Sequence, residues 1–158
     1  MGIVVLVALA GGGYALSRSA VFDLDTIEID GAFGVEANQV AEASGLVVGR
    51  PMLDLDLGRA AEGIVALPWV RTAAVDRAWP GTVEIAVTRR IGVALLPVGE
   101  GGGVVIDAEA VAIARSETAA VGDLPVITLG PVGDLGDVQT LALPALKLID
   151  AMPLDLAP

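Results

Sequence analysis

The chain is 158 residues long and carries 20 acidic against 9 basic side chains, a net charge of −11. That balance speaks against nucleic acid as a partner, because phosphate recognition needs clustered Lys and Arg. With no cysteine and no histidine, the chain also lacks disulfides, thiolate metal sites and the commonest catalytic base.

Hydrophobic residues are 54% of the chain but aromatics only 3%, so its cores are built from Val, Leu, Ile and Ala. The length suits one ordinary domain, or two small ones with an anchor. Residues 2–16 carry no charge and are largely aliphatic. A membrane span takes about 20 such residues, so this run is short, and its three consecutive glycines weaken a helix. A signal peptide would need a basic leader, which is missing. Arg18, the one flanking base, sits on the wrong side for a cytoplasmic N-terminus. The expectation is a transmembrane anchor over residues 1–17, incomplete as given and missing a basic tail. A buried core helix is the other reading.

Residues 22–30 alternate as a strand, with Ile27 and Ile29 inward and Glu28 and Asp30 outward, and Gly31 ends it. Residues 36–44 form a helix that Gly45 closes in the left-handed conformation. After a Gly49-Arg50-Pro51 turn, a second helix capped by Asp54 or Asp56 places Leu57, Ala61, Ile64 and Leu67 on one face. Pro68 stops it. A strand from Trp69 to Arg77 follows. Pro80-Gly81 then supplies a turn, proline fixing φ and glycine tolerating positive φ. Thr82–Thr88 returns with Val83, Ile85 and Val87 on its buried face and Glu84 and Thr88 outside. Two helices on one face of a three-stranded sheet make a compact α+β unit.

The order β-α-α-β-β, the Phe-x-Leu-x-x-Ile-x-Ile-x-Gly start ending in Gly31, and Leu67-Pro68-Trp69-Val70 resemble a POTRA domain. The Trp79-Pro80-Gly81-Thr82 turn, with an apolar run directly before the unit, narrows the resemblance to the FtsQ/DivIB family of cell-division proteins. Residues 22–90 are then the POTRA domain, and Gly31, Pro68, Trp69, Val70, Trp79, Pro80 and Thr82 belong to its fold signature. Residues 91–158 resemble part of that family's β-rich domain. Ile91–Pro97 reads as a strand, 99–103 as a glycine-rich loop, and 104–107 with 111–114 as a hairpin around Ala108-Glu109-Ala110. The family usually has glycine near Ala110, so the turn departs from its pattern. Leu124–Gly130 resembles the family's short Leu-Pro strand. Val138, Leu141, Ala145, Leu148, Ile149 and Met152 repeat at helical spacing, with Pro144 expected to kink that helix. Family members continue with further strands, so the chain reads as truncated at both ends. An unfinished sheet leaves an edge, which makes the part after residue 91 the less stable half.

Candidate chemistry is sparse. Asp54-Leu55-Asp56 pairs two carboxylates at a spacing open to acid–base work, against the simpler reading of a helix N-terminus. Gly133–Asp137 suggests calcium only superficially, because such loops need five or more oxygens at set spacing. Gly99–Gly103 lacks the Lys and Ser/Thr of a phosphate loop, and Glu100 would repel phosphate. Trp69 and Trp79 suit packing or docking. Arg71, Arg77, Arg89 and Arg90 concentrate positive charge locally, as a docking patch or a solvated sheet face.

The resemblance implies a non-enzymatic scaffold without cofactor, small-molecule substrate or nucleic acid. It implies a single-pass type II protein of the bacterial inner membrane, its POTRA and β domains extracytoplasmic at the division septum. Its expected partners are division proteins of the FtsL/FtsB (DivIC) type, which in the family bind the far end of the β domain. Its expected role is to link early and late division proteins and recruit septal peptidoglycan synthesis. A POTRA module of an outer-membrane assembly or secretion system is the alternative, and would need tandem repeats and a barrel. An anchored enzyme using carboxylates alone would need two facing acids in a pocket.

Overall fold

The computed structural model describes residues 2, 3, 5 and 6, then 22–99, 101–117, 122 and 124–151. The anchor expected over residues 1–17 falls almost wholly outside them. No helix of the described residues is long and apolar enough to cross a membrane. The chain divides into two compact units, Met1–Ala66 with Thr72–Thr88 and Leu67–Arg71 with Arg89–Pro158.

The first unit is built from β1 (Thr26–Asp30), α1 (Val35–Ser44), α2 (Leu57–Val65), β2 (Val70–Ala78) and β3 (Thr82–Arg89), the last two lending a few end residues to the second unit. Its sheet has the order β1-β3-β2, with β1 parallel to β3 and Ile27 and Ile29 beside Val83 and Ile85. Strict alternation along β3 puts Val83, Ile85 and Val87 into the core. Leu24, Val40, Met52, Ala60 and Ile64 are further buried apolar groups of this unit. The expected strand from residue 22 begins only at Thr26, because Asp23 pairs instead with Pro51 in an isolated bridge. Helix α1 ends on Gly45 at φ 62°, as its sequence predicts. Of the two candidate caps, Asp56 serves α2 by accepting from the Arg59 amide at 3.0 Å, while Asp54 sits in a 3-10 turn over Met52–Asp54. Helix α2 ends at Val65, short of Leu67, and it buries Ala60 rather than Ala61 beside Ile64.

Gly81 corrects the turn expectation. Its φ is not positive; what requires glycine is crowding. A Cβ there would lie 2.7 Å from both the Asp23 carbonyl and an Asp25 carboxylate oxygen. The Gly81 carbonyl in turn accepts from the amides of Asp25 and Thr26 at 2.7 and 3.1 Å.

The second unit holds a meander of β4 (Ala94–Val98), β5 (Gly102–Ile106) and β6 (Ala112–Ser116), all antiparallel, with a register shift at Val105/Ile106. Helix α3 (Leu143–Ala151) follows a 3-10 turn at Thr140–Ala142. Ala94, Leu96, Val104, Ile106, Ala112, Ile127, Ala142 and Leu146 form the core with Ala110. Four expectations change here. The first strand starts at Ala94, leaving Ile91 exposed. The last two glycines of the expected loop open β5. The Leu-Pro strand reduces to one parallel bridge, Val126 to Leu95, held by Leu95 donating to Pro125 and Ile127 donating to Leu95, both at 2.9 Å. Pro144 lies in the first turn of α3, where the missing N–H needs no partner, so it starts the helix rather than kinking it. Of the residues expected on its inner face, Ala145 and Ile149 pack against the core, while Val138 and Leu141, which precede the helix, and Leu148 stay exposed. Ala142 in the 3-10 turn and Leu146 are the buried ones, and Met152 lies outside the described residues.

Candidate docking surfaces

The sheet order β1-β3-β2 leaves β1 and β2 as its edges among the described residues. An edge strand presents backbone N–H and C=O groups along one side, a template for an added strand. The start of the β1 edge is already occupied, since Leu24 exchanges backbone bonds with Arg50 and Gly49. The nine-residue β2 is the longer edge. On the sheet face away from the helices, Glu28 and Glu84 are register partners, and Asp30 and Asp76 stand on the same exposed face. This face is acidic.

The two tryptophans sit at the two ends of β2, as the sequence predicts, in different settings. Trp69 is half-buried, with the Arg89 guanidinium 5.2 Å from its ring centroid and its carbonyl accepting from the Arg90 amide at 2.8 Å. Trp79 is 53% exposed and meets Phe22 edge-on, ring centroids 5.9 Å apart. The Trp79–Pro80 peptide bond is cis. Pro68 lies within the turn between α2 and β2, Val70 is buried, and Thr82 opens β3 beside Thr26.

The four arginines have separate occupations. Arg77, in the first unit, donates to the carbonyls of Met52 and Leu55 at 2.9 and 2.6 Å and so ties β2 to the segment before α2. Arg71, Arg89 and Arg90 belong to the second unit. Arg71 pairs with Glu109 while staying more than half exposed. Arg90, 18% exposed, donates to the Val70 carbonyl at 3.1 Å and pairs with Asp107, itself 3% exposed.

Asp107 is the residue that sequence reasoning passed over. One carboxylate oxygen accepts from the amides of Glu109 and Val111 at 3.0 and 2.8 Å, and the other takes Arg90. An Asp directly after a strand and before a tight turn is the available signal, because Asp bonds backbone amides a few residues on. The resulting turn holds Ala110 at φ 61°, the one non-glycine with positive φ among the described residues.

The remaining acid pairs serve local structure. Asp137 accepts from the Asp134 amide at 3.3 Å, and Asp134 lies 3.8 Å from Arg115. No group of three or more acids among the described residues is placed to hold a metal ion. An open cleft of about 770 Å³ beside α1 and α2 mixes Asp56 and Glu62 with Arg50 and Arg59.

Residues 22–90 match the family model described as "POTRA domain, FtsQ-type". The chain is 36% identical over 88 residues to "Cell division protein FtsQ" of Corynebacterium glutamicum, covering 56% of this chain and 39% of that protein. The protein of the same name from Caulobacter vibrioides is 35% identical over 109 residues, covering 69% of this chain and 36% of its own length. That from Streptomyces venezuelae is 30% identical over 116 residues, covering 73% and 42%. The chain thus matches less than half the length of each of these relatives.

Proposed function

Because the chain belongs to the FtsQ/DivIB family, we propose that it is a non-enzymatic scaffold of the bacterial division machinery. In this reading residues 1–17 are a transmembrane anchor and residues 22–90 a POTRA docking module. Residues 91–158 form part of an FtsQ-type β domain. The protein spans the inner membrane once, with both domains extracytoplasmic at the septum. It links early and late division proteins, with partners of the FtsL/FtsB (DivIC) type, and helps recruit septal peptidoglycan synthesis.

The observation that carries the reading is the FtsQ-type match over the module that bears an unpaired β2 edge. Strand addition there would join backbone to backbone, and the acidic face formed by Glu28, Asp30, Asp76 and Glu84 would favour a basic segment alongside. The absence of native cysteine makes the test clean. Single cysteines at Thr72, Ala74 or Asp76 are expected to cross-link a division protein in membranes of dividing cells, whereas one at Asn38 on α1 is not. Capture of outer-membrane assembly factors at the β2 positions would leave the fold standing and remove the division role.

A further inference from the structure

We infer that the end of the first unit at which the chain enters it rests on a zwitterionic lipid bilayer and sets apolar side chains into the headgroup layer; this builds on the anchored reading proposed above. Two segments converge there on residues 22–25. The first is the connection between α1 and α2: Leu24 donates to the Arg50 carbonyl at 2.8 Å and accepts from the Gly49 amide at 2.7 Å, and Asp23 bridges Pro51. The second is the turn between β2 and β3, where Gly81 accepts from Asp25 and Trp79 stacks edge-on with Phe22. Both segments display apolar groups to solvent: Val47, Val48 and Leu53 on the connection and Trp79 on the turn are 53–58% exposed.

Covalent distance identifies what covers this end. Residues 17–21 are all that separate Phe22 from the uncharged run at 2–16. A chain of that length reaches at most about 20 Å in any conformation. With the run in hydrocarbon, the Phe22 end is held at the headgroups. Tryptophan and aliphatic side chains are the types that settle at this boundary, about 5–10 Å into it. Charge selects the lipid. Asp23, Asp25, Asp54 and Asp56 lie around the patch against Arg50, Arg59 and Arg77, so it offers no excess of positive charge to draw anionic headgroups, and the chain's net charge of −11 opposes them. Phe33, 81% exposed, lies past the opposite end of β1 and provides a control.

The test reconstitutes the 158-residue chain, with Trp69→Phe so that Trp79 is its sole tryptophan, into phosphatidylcholine vesicles bearing brominated acyl chains. The chain is expected to float with the vesicles, with Trp79 emission blue-shifted and quenched. Val48→Asp combined with Leu53→Asp should abolish the quenching while flotation and far-UV circular dichroism stay unchanged. Phe33→Ser should leave the quenching as it was. A floating chain with unquenched Trp79, or quenching indifferent to the Val48 and Leu53 changes, overturns the bilayer contact alone. A chain that does not float removes the anchor reading, and this inference with it.

Discussion

Gly31→Ala is expected to destabilise the first unit by about 2–5 kcal/mol, adding a left-handed backbone penalty to an overpacking penalty. Gly31 has φ 85°, and a Cβ on it would lie 2.0 Å from the Val87 carbonyl oxygen. Neither partner can yield cheaply, because Val87 is backbone of β3 and Gly31 follows β1, its hydrogen-bonded neighbour. Gly45→Ala supplies the comparison: its φ is 62°, yet nothing lies within 4 Å of the added carbon. That variant should lose only about 1 kcal/mol, the conformational part by itself. Urea titration followed by hydrogen exchange reads both. Amides of β1 and β3 should lose protection in Gly31→Ala, and equal costs in the two variants would refute the steric reading.

Asp107→Ala is expected to cost the second unit about 3–5 kcal/mol, the usual penalty for removing one member of a buried ion pair. The carboxylate is 3% exposed and does three jobs: it neutralises Arg90 and receives the amides of Glu109 and Val111. Alanine would leave a largely buried guanidinium and unpaired turn amides. Asp107→Asn should fall between, keeping one acceptor for the turn while losing the charge. Exchange at Val111 and along β5 reports the change; a loss below about 1 kcal/mol would mean that water replaces the carboxylate.

Local chemistry was legible and remote chemistry was not. Val83, Ile85 and Val87 declare a half-buried strand by alternation alone, and Gly45 declares a helix end, because both signals depend on neighbours in sequence. Glycine at position 81 was foreseen for the wrong reason: the crowding that demands it comes from Asp23 and Asp25, residues far away along the chain. Asp107 was missed likewise, since its burial depends on Arg90 arriving beside it. From Leu141, in the 3-10 turn before the last helix, to Ile149 nearly every residue is apolar. Periodicity there finds Ala145 and Ile149, which pack against the core, but cannot tell the exposed Leu141 and Leu148 from the buried Ala142 and Leu146. Ala110 shows the converse. The departure from glycine was visible, and the backbone keeps its left-handed conformation with the methyl fully buried.

The candidate docking residues were legible as types but not as partners. Arg77 and Arg90 looked like surface charge, yet both bind backbone carbonyls of their own unit. Exposed apolar groups at Val47, Val48 and Leu53 carried no sequence pattern, because the first two lie outside any helix or strand and Leu53 sits in a single 3-10 turn too short to show a period.

Localisation in growing cells tests the division role most directly. A fluorescent fusion of the chain, imaged with a division-plane marker, is predicted to gather as a band at the septum as constriction begins. Fluorescence spread evenly around the cell periphery throughout the cycle would contradict it.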